Sequence, residues 1–372
     1  MNEPKLRFKA DDGSQFPDWE EKTIDEVAEC LDNKRVPVNS EERKKRVGII
    51  PYYGAGGIQG YIDDYLFDEE LVLLLEDGDA FDDFQTKSIA QYVTGKSWVN
   101  NHAHVLRANG NSYFLFASLE HKDIRRWTQL AGASRKKLLK DSMLKITVNM
   151  PSLPEQQKIA EVLSTIDTVI GKQKETVSAW EERKKGVMQK LFSQEVRFKA
   201  DDGSDFPEWE EKKFSEIFEK TTNKNTCYGT DKIISVANMY YKEDASVSNE
   251  DYLKTYNVML YGDIAFEGHV NKEYSHGRFV LNDIGNGIVS HIFDVFHPKN
   301  LSLYSVGFWK EYIRHEPIMG RVLVRCTKSS TMMRNLVAKE FFQELVPVPC
   351  IAEQQKIADC LSSFDEVIEK QK

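Results

Sequence analysis

Apolar residues recur at alternating steps of three and four over residues 155–192, near the middle of the chain. This spacing is typical of a coiled-coil helix, and no proline interrupts it. At about 1.5 Å per residue the stretch would form a rod of about 57 Å, which needs a partner helix to cover its apolar side. The predicted stripe consists of Ile159, Leu163, Ile166, Ile170, Val177, Trp180, Val187 and Leu191.

A second helix of the same pattern follows at the end of the sequence. Residues 353–372 repeat the start of the first rod at an offset of 198 positions, and their stripe consists of Ile357, Leu361, Phe364 and Ile368. We predict that this shorter helix pairs antiparallel with the second half of the first. The first stripe would then stay exposed between Ile159 and Ile170. A partner subunit, self-association with a second copy, and a longer natural chain are all open as its cover.

The chain is an internal repeat. Residues 7–22 recur as residues 197–212 with 14 of 16 positions identical. We therefore predict an α+β protein with two similar domains, separated by long helices that form an antiparallel coiled coil, in a pseudo-twofold repeat. The predicted boundaries are 1–152 for the first domain, 153–194 for the first helix, 195–350 for the second domain and 351–372 for the second helix.

Inside the domains, short strand patterns alternate with turn residues. The main elements predicted in the first domain are strands at 71–75, 97–99 and 104–108, a turn-rich segment at 51–60, and helices at 114–128 and 135–140. Those in the second domain are strands at 232–236, 261–266 and 287–293 and a helix at 303–316.

Composition and charge fit a soluble protein of the cytoplasm. No apolar run approaches the ~18 residues of a membrane span, and the N-terminus lacks a signal-peptide core. Five scattered cysteines without a C-x-x-C pair indicate a reducing compartment and argue against a structural zinc site. The net charge of −9 is unusual for a nucleic-acid binder. However, basic residues outnumber acidic ones over 114–148 and 304–340, so each half could carry a local positive face.

Catalytic motifs are weak in this sequence. Residues 149–152 lack the stacking aromatic of an amino-methyltransferase loop, and Gly54–Gly57 lacks the G-K-[ST] of a phosphate-binding loop. His102 and His104 would share one face of a strand. Hydrogen bonding within a packed sheet is the preferred interpretation of this pair, with DNA contact and metal binding as alternatives, and no metal site is predicted.

The order of the motifs resembles the specificity (S) subunit of type I restriction–modification systems. The resemblance is carried by E-Q-Q-K-I-A at 155–160 and 353–358, F-P-x-W-E-E-K before each domain, and the segments 53–63 and 95–103. It implies two target-recognition domains that each read half of a split double-stranded DNA target. It also implies helices that act as spacers and dock two methyltransferase subunits, with restriction subunits as a further option. The chain itself would be non-catalytic and without a cofactor, and S-adenosylmethionine would belong to the methyltransferase partner.

Residue chemistry then selects candidate DNA contacts, because lysine and arginine suit phosphate and guanine whereas asparagine and glutamine suit adenine. In the first domain they are Tyr52, Gly54, Gly56, Gly57, Gln59, Lys96, Asn100, Asn101, His102, Ser134, Arg135, Lys136 and Lys137. In the second domain they are Asn238, Tyr240, Tyr241, His269, Lys272, Arg278, Lys328, Ser329 and Arg334. A plain turn is the alternative for Gly54–Gly57.

Two other classes of function remain open at this point. The chain could be a coiled-coil scaffold whose two domains bind proteins and read no DNA. It could also be a self-contained DNA-modifying enzyme, which would have to bind S-adenosylmethionine by itself. On the favoured hypothesis, a rod of about 57 Å suits half-sites about one to one-and-a-half turns of DNA apart.

Overall fold

The computed structural model describes residues 6–131, 135–243, 250–329 and 333–372. The chain divides into two compact units, Met1–Lys172 and Gln173–Lys372. Within the described residues, no helix has both the length and the apolar character needed to cross a membrane.

Over its described residues, unit 1 contains short strands and four short α-helices that precede the start of a long one. Its strands are β1 (Glu20–Thr23), β2 (Ala28–Cys30), β3 (Ile50–Gly54), β4 (Gly57–Ile62), β5 (Phe67–Asp68), β6 (Leu71–Leu75), β7 (Ala90–Val93), β8 (Lys96–Val99), β9 (Ala103–Ala108), β10 (Thr128–Ala131), β11 (Arg135–Leu138) and β12 (Thr147–Met150). Its helices are α1 (Ile24–Val27), α2 (Ser40–Lys45), α3 (Ser112–Leu119), α4 (Lys140–Met143) and the first part of α5 (Leu153–Phe192).

Two four-stranded sheets form the centre of unit 1, in the orders β2-β9-β6-β7 and β4-β3-β8-β5. Every residue of β6 is buried, as its unbroken LVLLL sequence requires of a strand covered on both faces. Helix α3 packs over one of these faces, where Phe114 and Leu115 join Val72 and Leu74 in the core. The strands β1 and β12 pair antiparallel at the base of the unit, next to α5.

Unit 2 repeats this plan with different side chains. Its strands are β13 (Glu210–Lys213), β14 (Phe218–Thr221), β15 (Ile234–Ser235), β16 (Tyr240–Tyr241), β17 (Asn257–Met259), β18 (Ile264–Glu267), β19 (Arg278–Leu281), β20 (Gly287–Val289), β21 (Val295–Pro298), β22 (Thr327–Ser329), β23 (Arg334–Leu336) and β24 (Leu345–Val348). Its helices are the rest of α5, α6 (Phe214–Ile217), α7 (Glu250–Leu253), α8 (Val306–Tyr312), α9 (Glu316–Cys326), α10 (Ala338–Phe341) and α11 (Ile351–Gln371).

The central sheet of unit 2 has the order β14-β21-β18-β19, which matches β2-β9-β6-β7 strand for strand with all pairs antiparallel. The ribbon β13–β24 likewise corresponds to β1–β12. The predicted internal repeat and the α+β class are therefore confirmed at the level of the fold.

Three local predictions were wrong. Residues 135–138 form a strand and not a helix, because β11 pairs with β10 in an antiparallel hairpin that outweighs the helix propensity of its lysines. The turn-rich segment 51–60 is mostly a hairpin, β3–β4, with a bulge at Tyr52/Tyr53. The helix predicted at 114–128 ends at Leu119 in the structure.

A buried glutamate in the first turn of each long helix ties the repeated leader to that helix. In unit 1, Glu155 accepts hydrogen bonds from Arg7 Nη2 at 2.8 Å and from Trp19 Nε1 at 3.2 Å. In unit 2, Glu353 accepts them from Arg197 at 2.9 Å and from Trp209 at 3.1 Å. Both glutamates are fully buried. We call each of these sets a Glu–Arg–Trp clamp. A carboxylate near a helix N-terminus is also favoured by the helix dipole.

In unit 2, α11 packs antiparallel against residues 173–192 of α5, as predicted. Gln173 at one end donates to the carbonyl oxygen of Gln371, and Trp180 packs edge-on to Phe364 at 6.1 Å. At the other end, Leu191 lies in the same buried cluster as Ile357 and Leu361. Val187 packs against that cluster, and Ile368 is also buried.

Replacement of Glu353 by alanine tests the clamp, because it leaves the Arg197 charge without its buried partner. We expect Glu353→Ala to lower the free energy of unfolding by about 3 kcal/mol in urea titrations followed by tryptophan fluorescence. Glu208→Ala is the matched control, since Glu208 also contacts Arg197, at 3.1 Å, but its side chain is 90% exposed. Glu208→Ala should lower the free energy of unfolding by less than about 0.5 kcal/mol. Equal effects would contradict a clamp role for Glu353.

The buried histidine beside the end of α5 predicts a pH dependence. His315 packs edge-on to Phe192 at 5.0 Å, and burial lowers its pKa to about 4. The unfolded chain takes up this proton near pH 6.5, so the folded state loses stability as the pH falls from about 6.5 to about 4. His315→Gln should flatten the pH dependence of the unfolding free energy in that window. A pH profile of His315→Gln identical to that of the unchanged chain would refute the assignment.

Candidate nucleic-acid interface

The glycine hairpin β3–β4 and the turn between β8 and β9 are joined by one buried side chain in unit 1. Asn100 contacts both the hairpin and the turn. Its backbone N–H donates to Tyr53 O in the hairpin at 3.0 Å, and its Oδ1 accepts from His102 N in the turn at 2.8 Å. The Asn100 amide also donates to Gln59 Oε1 at 3.3 Å. Gln91 supports the hairpin tip from β7 by donating to Ala55 O at 3.0 Å. Two of the predicted contact segments therefore lie side by side.

The second hairpin, β10–β11, docks on the end of the central strand β6. Leu138 N donates to Glu76 O at 2.8 Å, and Gly78 N donates to Lys136 O at 3.4 Å. Lys137 Nζ lies 3.0 Å from the Glu76 carboxylate, and Lys136 pairs with Asp82. These contacts bring the basic strand β11 to the same edge as the Asn100 turn. A DNA phosphate would have to compete with carboxylates for both lysines.

A buried charge cluster holds this edge together. His104 Nδ1 lies 2.6 Å from Asp32 Oδ2, and its Nε2 lies 2.9 Å from the carbonyl oxygen of Leu138. Both ring nitrogens of His104 therefore face an acceptor oxygen. Burial disfavours the charged form of Asp32, but the hydrogen bond and charge of His104, together with Arg35, hold the Asp32 pKa below its ordinary value.

The same cluster has the composition of a metal site. Asp32, Glu76 and His104 each offer a ligand atom within 4.8 Å of the others. However, the Arg35 guanidinium lies 2.5 Å from Glu76 and 3.3 Å from Asp32. Because this cation already pairs with both carboxylates, the residues fit an ion-pair network better than a metal centre. The sheet-bonding interpretation of His104 agrees with this geometry.

Unit 2 builds a corresponding edge with different residues. Arg334 N, at the start of β23, donates to Gly268 O at 2.8 Å, which docks the hairpin β22–β23 just after β18. Arg278 donates to Glu267 at 2.7 Å and to the carbonyl oxygen of Ala237 at 2.6 Å. Glu267 therefore occupies a place similar to that of Glu76, with an arginine from another element beside it. His269 lies 3.8 Å from Glu267 on the same edge.

The predicted DNA contacts of unit 1 differ in how accessible they are. The predictions of Tyr52 and Asn100 are corrected, because both side chains are buried: the Tyr52 hydroxyl forms hydrogen bonds with Val38 in the core, and both ends of the Asn100 amide are occupied. Gly54 is buried as well. Ser134 lies outside the described residues, and only the backbone of Arg135 is described. The residues of unit 1 that remain at least partly accessible are Gly56, Gly57, Gln59, Lys96, Asn101, His102, Lys136 and Lys137.

All nine predicted residues of unit 2 are at least partly accessible: Asn238, Tyr240, Tyr241, His269, Lys272, Arg278, Lys328, Ser329 and Arg334. Arg278 and Arg334 both have partners in the edge, since Arg334 Nη1 donates to Ser329 Oγ at 2.7 Å. Tyr241 donates to Asn286 O at 3.0 Å and lies under Lys232, whose Nζ is 4.8 Å from the ring centre. Sequence reasoning missed the supporting residues Arg35, Glu76, Gln91 and Glu267. No short motif marks them, because contacts such as Arg35–Glu76 and Gln91–Ala55 join residues more than 30 positions apart.

Comparison with known families gives a consistent match. A family model described as "Type I restriction modification DNA specificity domain" matches this chain twice, over residues 17–178 and 207–372. The MjaVIII specificity subunit of a type I restriction enzyme from Methanocaldococcus jannaschii is 25% identical over 401 aligned residues. That match covers 97% of this chain and 90% of the archaeal protein.

Two further relatives extend the comparison. A putative type I restriction enzyme specificity subunit from Haemophilus influenzae, S.HindORF215P, is 38% identical over 157 residues, which are 42% of this chain and 38% of that protein. The match thus spans well under half of the Haemophilus protein. The crystal structure of a type I restriction–modification S subunit from M. genitalium aligns with a TM-score of 0.61 at 14% identity, covering 99% of this chain and 93% of that one. At that identity the likeness shows the fold alone.

The role of Asn100 as a support gives a stability prediction. Asn100→Ala removes the acceptor of His102 N and the donor to Gln59, so we expect the free energy of unfolding to fall by about 2 kcal/mol. Asn101→Ala replaces the exposed neighbour in the same turn, and it should change the free energy of unfolding by less than about 0.5 kcal/mol. Urea unfolding measures both variants. A larger effect at Asn101 than at Asn100 would contradict the proposed support.

Proposed function

This chain belongs to the type I restriction–modification DNA specificity family, and we propose that it is the subunit that recognises the DNA target of a modification complex. On this proposal each unit reads one half of a split double-stranded target. It acts in the cytoplasm, where it is bound to partner subunits.

The observation that carries the proposal is that one part of each unit, which we call the frame, repeats between the units, whereas the side chains at the edge formed by the hairpins differ. The leader, the basal ribbon, the clamp and the order of the central sheet repeat between units 1 and 2. The edge formed by the hairpins keeps its backbone docking but not its side chains: Lys136 and Lys137 in unit 1 give way to a set built around Arg278 and Arg334 in unit 2. Two such surfaces on one frame suit two different half-sites.

We propose that chemistry takes place in partner subunits. The long helices α5 and α11 would dock two methyltransferase subunits, which bind S-adenosylmethionine, and restriction subunits would join in a larger complex. The chain itself would take no cofactor and perform no catalysis. Its contribution would be the position and identity of the DNA sequence presented to the methyltransferase.

Co-expression with a methyltransferase subunit of the same system tests this function. We expect the two proteins to purify together and host DNA to carry methylation at one split motif, mapped by methylation-sensitive sequencing. Co-purification without any methylated motif would favour a scaffold that binds proteins only. Binding of S-adenosylmethionine by the isolated chain would instead favour an enzyme.

The lysines of β11 predict the electrostatic part of the affinity. In the complex with the methyltransferase, Lys136→Ala/Lys137→Ala should weaken DNA binding and reduce the slope of log affinity against log salt by about two, one for each lost phosphate contact. Lys9→Ala is a control, because this exposed lysine lies in the leader, away from the hairpins. An unchanged affinity and slope in the double variant would remove β11 from the interface.

A further inference from the structure

Unit 2 contains a cleft of about 560 Å³ where the end of α5 meets α9 and β24, and we call it the basic cleft. Most of its wall is apolar, and this part consists of Phe192, Pro317, Ile318, Val322, Leu345 and Pro347. Two arginines also line it, and among the described residues no aspartate or glutamate does so. Its surface and its charge therefore suit a ligand that is partly apolar and negatively charged.

A buried histidine lines this cleft without a hydrogen-bond partner for its ring. His315 is 6% exposed, and within the described chain no group bonds to either ring nitrogen. The histidine at the same position in unit 1, His121, bonds with the carbonyl oxygen of Phe84 at 2.6 Å. Each of the two follows a helix N-cap residue by ten positions, Asn111 for α3 and Ser305 for α8. Burial lowers the pKa of His315 to about 4, so near neutral pH one ring nitrogen carries a proton and can donate a hydrogen bond to a ligand.

The two arginines of the basic cleft lie four positions apart on α9 and so share one face of that helix. Arg325 is paired with Glu344. Arg321 is exposed, and in the described part of the chain it has no ion pair. A guanidinium donates in a planar fork that matches the oxygens of a phosphate group. The cleft therefore places a neutral donor, His315, and an unpaired cation, Arg321, beside an apolar wall.

His315 also borders a second cleft, which has the opposite balance of charge. Of its described lining residues, four are glutamates and three are cations: Glu181, Glu273, Glu311, Glu316, Lys184, Lys185 and Arg314. Lys184 is already paired with Glu311 and with Asp365 of α11. An anion in that cleft would lie against a surplus of carboxylates. The basic cleft is therefore the favourable side of His315 for an anion.

We propose that the basic cleft binds a small organic phosphate monoester with an apolar body. The phosphate accepts a hydrogen bond from the His315 ring and pairs with Arg321, and the body lies against Phe192 and the rest of the apolar wall. A monoester has three terminal oxygens, and His315, Arg321 and Arg325 offer three donor groups to them. A diester phosphate of a DNA backbone has two such oxygens and no apolar body beside them, so the wall favours the small molecule. The site lies within unit 2 and does not rest on the DNA-recognition proposal.

Phenyl phosphate is the probe, because it joins one phosphate group to one apolar ring. In calorimetric titrations of the full chain, we expect one molecule to bind at least about tenfold more tightly than phenol, which lacks the charge, or inorganic phosphate, which lacks the ring. Binding to the folded state should also raise the Tm. An affinity no higher than that of inorganic phosphate would overturn the proposal, because the apolar wall would then contribute nothing.

Two substitutions test the residues that hold the phosphate. Arg321→Gln should weaken the binding of phenyl phosphate about tenfold, because it removes the unpaired cation. Lys339→Gln is the control: it removes an exposed positive charge from α10, outside the cleft, and should change the affinity by less than about twofold. His315→Phe keeps an aromatic ring against Phe192 but has no N–H, so it should also weaken binding about tenfold. Thermal unfolding curves will show whether each variant folds, and the exposed position of Arg321 makes Arg321→Gln the decisive one.

A DNA arm identifies the source of the phosphate. The same Arg321→Gln variant is titrated with a DNA duplex in the complex with the methyltransferase, where we expect an unchanged affinity. Weaker DNA binding, together with no binding of phenyl phosphate to the unchanged chain, would assign Arg321 to the DNA backbone and refute the small-molecule site. Binding of phenyl phosphate that Arg321→Gln leaves unchanged would also refute it. Neither result would alter the proposed recognition of DNA by the hairpin edges.

Discussion

One buried ionic contact, made twice, fixes how this chain is organised. A glutamate in the first turn of each long helix receives the arginine and the tryptophan of the leader, and each glutamate has no exposure to solvent. The leader continues into the first strand of a basal ribbon, and the ribbon returns to the same helix. The segment between the two ribbon strands therefore begins and ends at the same ribbon. Its side chains can differ between the units while the leader, ribbon and clamp remain the same.

The same frame explains the E-Q-Q-K motif at the start of both helices. After the clamp glutamate, the first glutamine accepts a hydrogen bond from the backbone N–H of the residue that caps an earlier helix: Gln156 from Asn111 N, at the start of α3, at 3.1 Å, and Gln354 from Ser305 N, at the start of α8, at 3.0 Å. The motif lysine donates to the leader carbonyl oxygens, Lys158 to that of Lys9 and Lys356 to that of Lys199. Three residues of the motif thus make structural contacts that join the long helix to the leader and to the domain.

Three cations of the candidate interface, Lys136, Lys137 and Arg278, are each paired with a carboxylate. Lys137 contacts Glu76, and Arg278 contacts Glu267, each at the end of the central strand of its unit. Such pairing keeps the cations in place on a protein with a net charge of −9. It also means that phosphate binding exchanges one ionic contact for another, so the net gain per contact is modest and depends on salt.

The parts of the fold that follow from local periodicity were accessible from the sequence. The two long helices, their antiparallel pairing in unit 2 and the duplicated leader were predicted, because a stripe at three–four spacing determines both the helix and the face that needs a partner. The hairpin at 128–138 was not predicted from the sequence. Its strand β11 is rich in helix-forming lysine and leucine, and besides pairing with β10 it is held in place by contacts of Leu138 with Glu76 and His104, more than 30 residues away. The burial of Tyr52 and Asn100 likewise depends on distant partners, Val38 and Gln59.

The central claim is that one frame carries two independent readers. The most direct measurement is the methylated motif produced by a chain in which residues 207–350 are replaced by residues 17–152, so that both units carry the first reader between unchanged clamps. The account predicts methylation at a split motif whose two halves are the same recognition sequence. A stable, methyltransferase-bound chain that still methylates a motif with two different halves would contradict it.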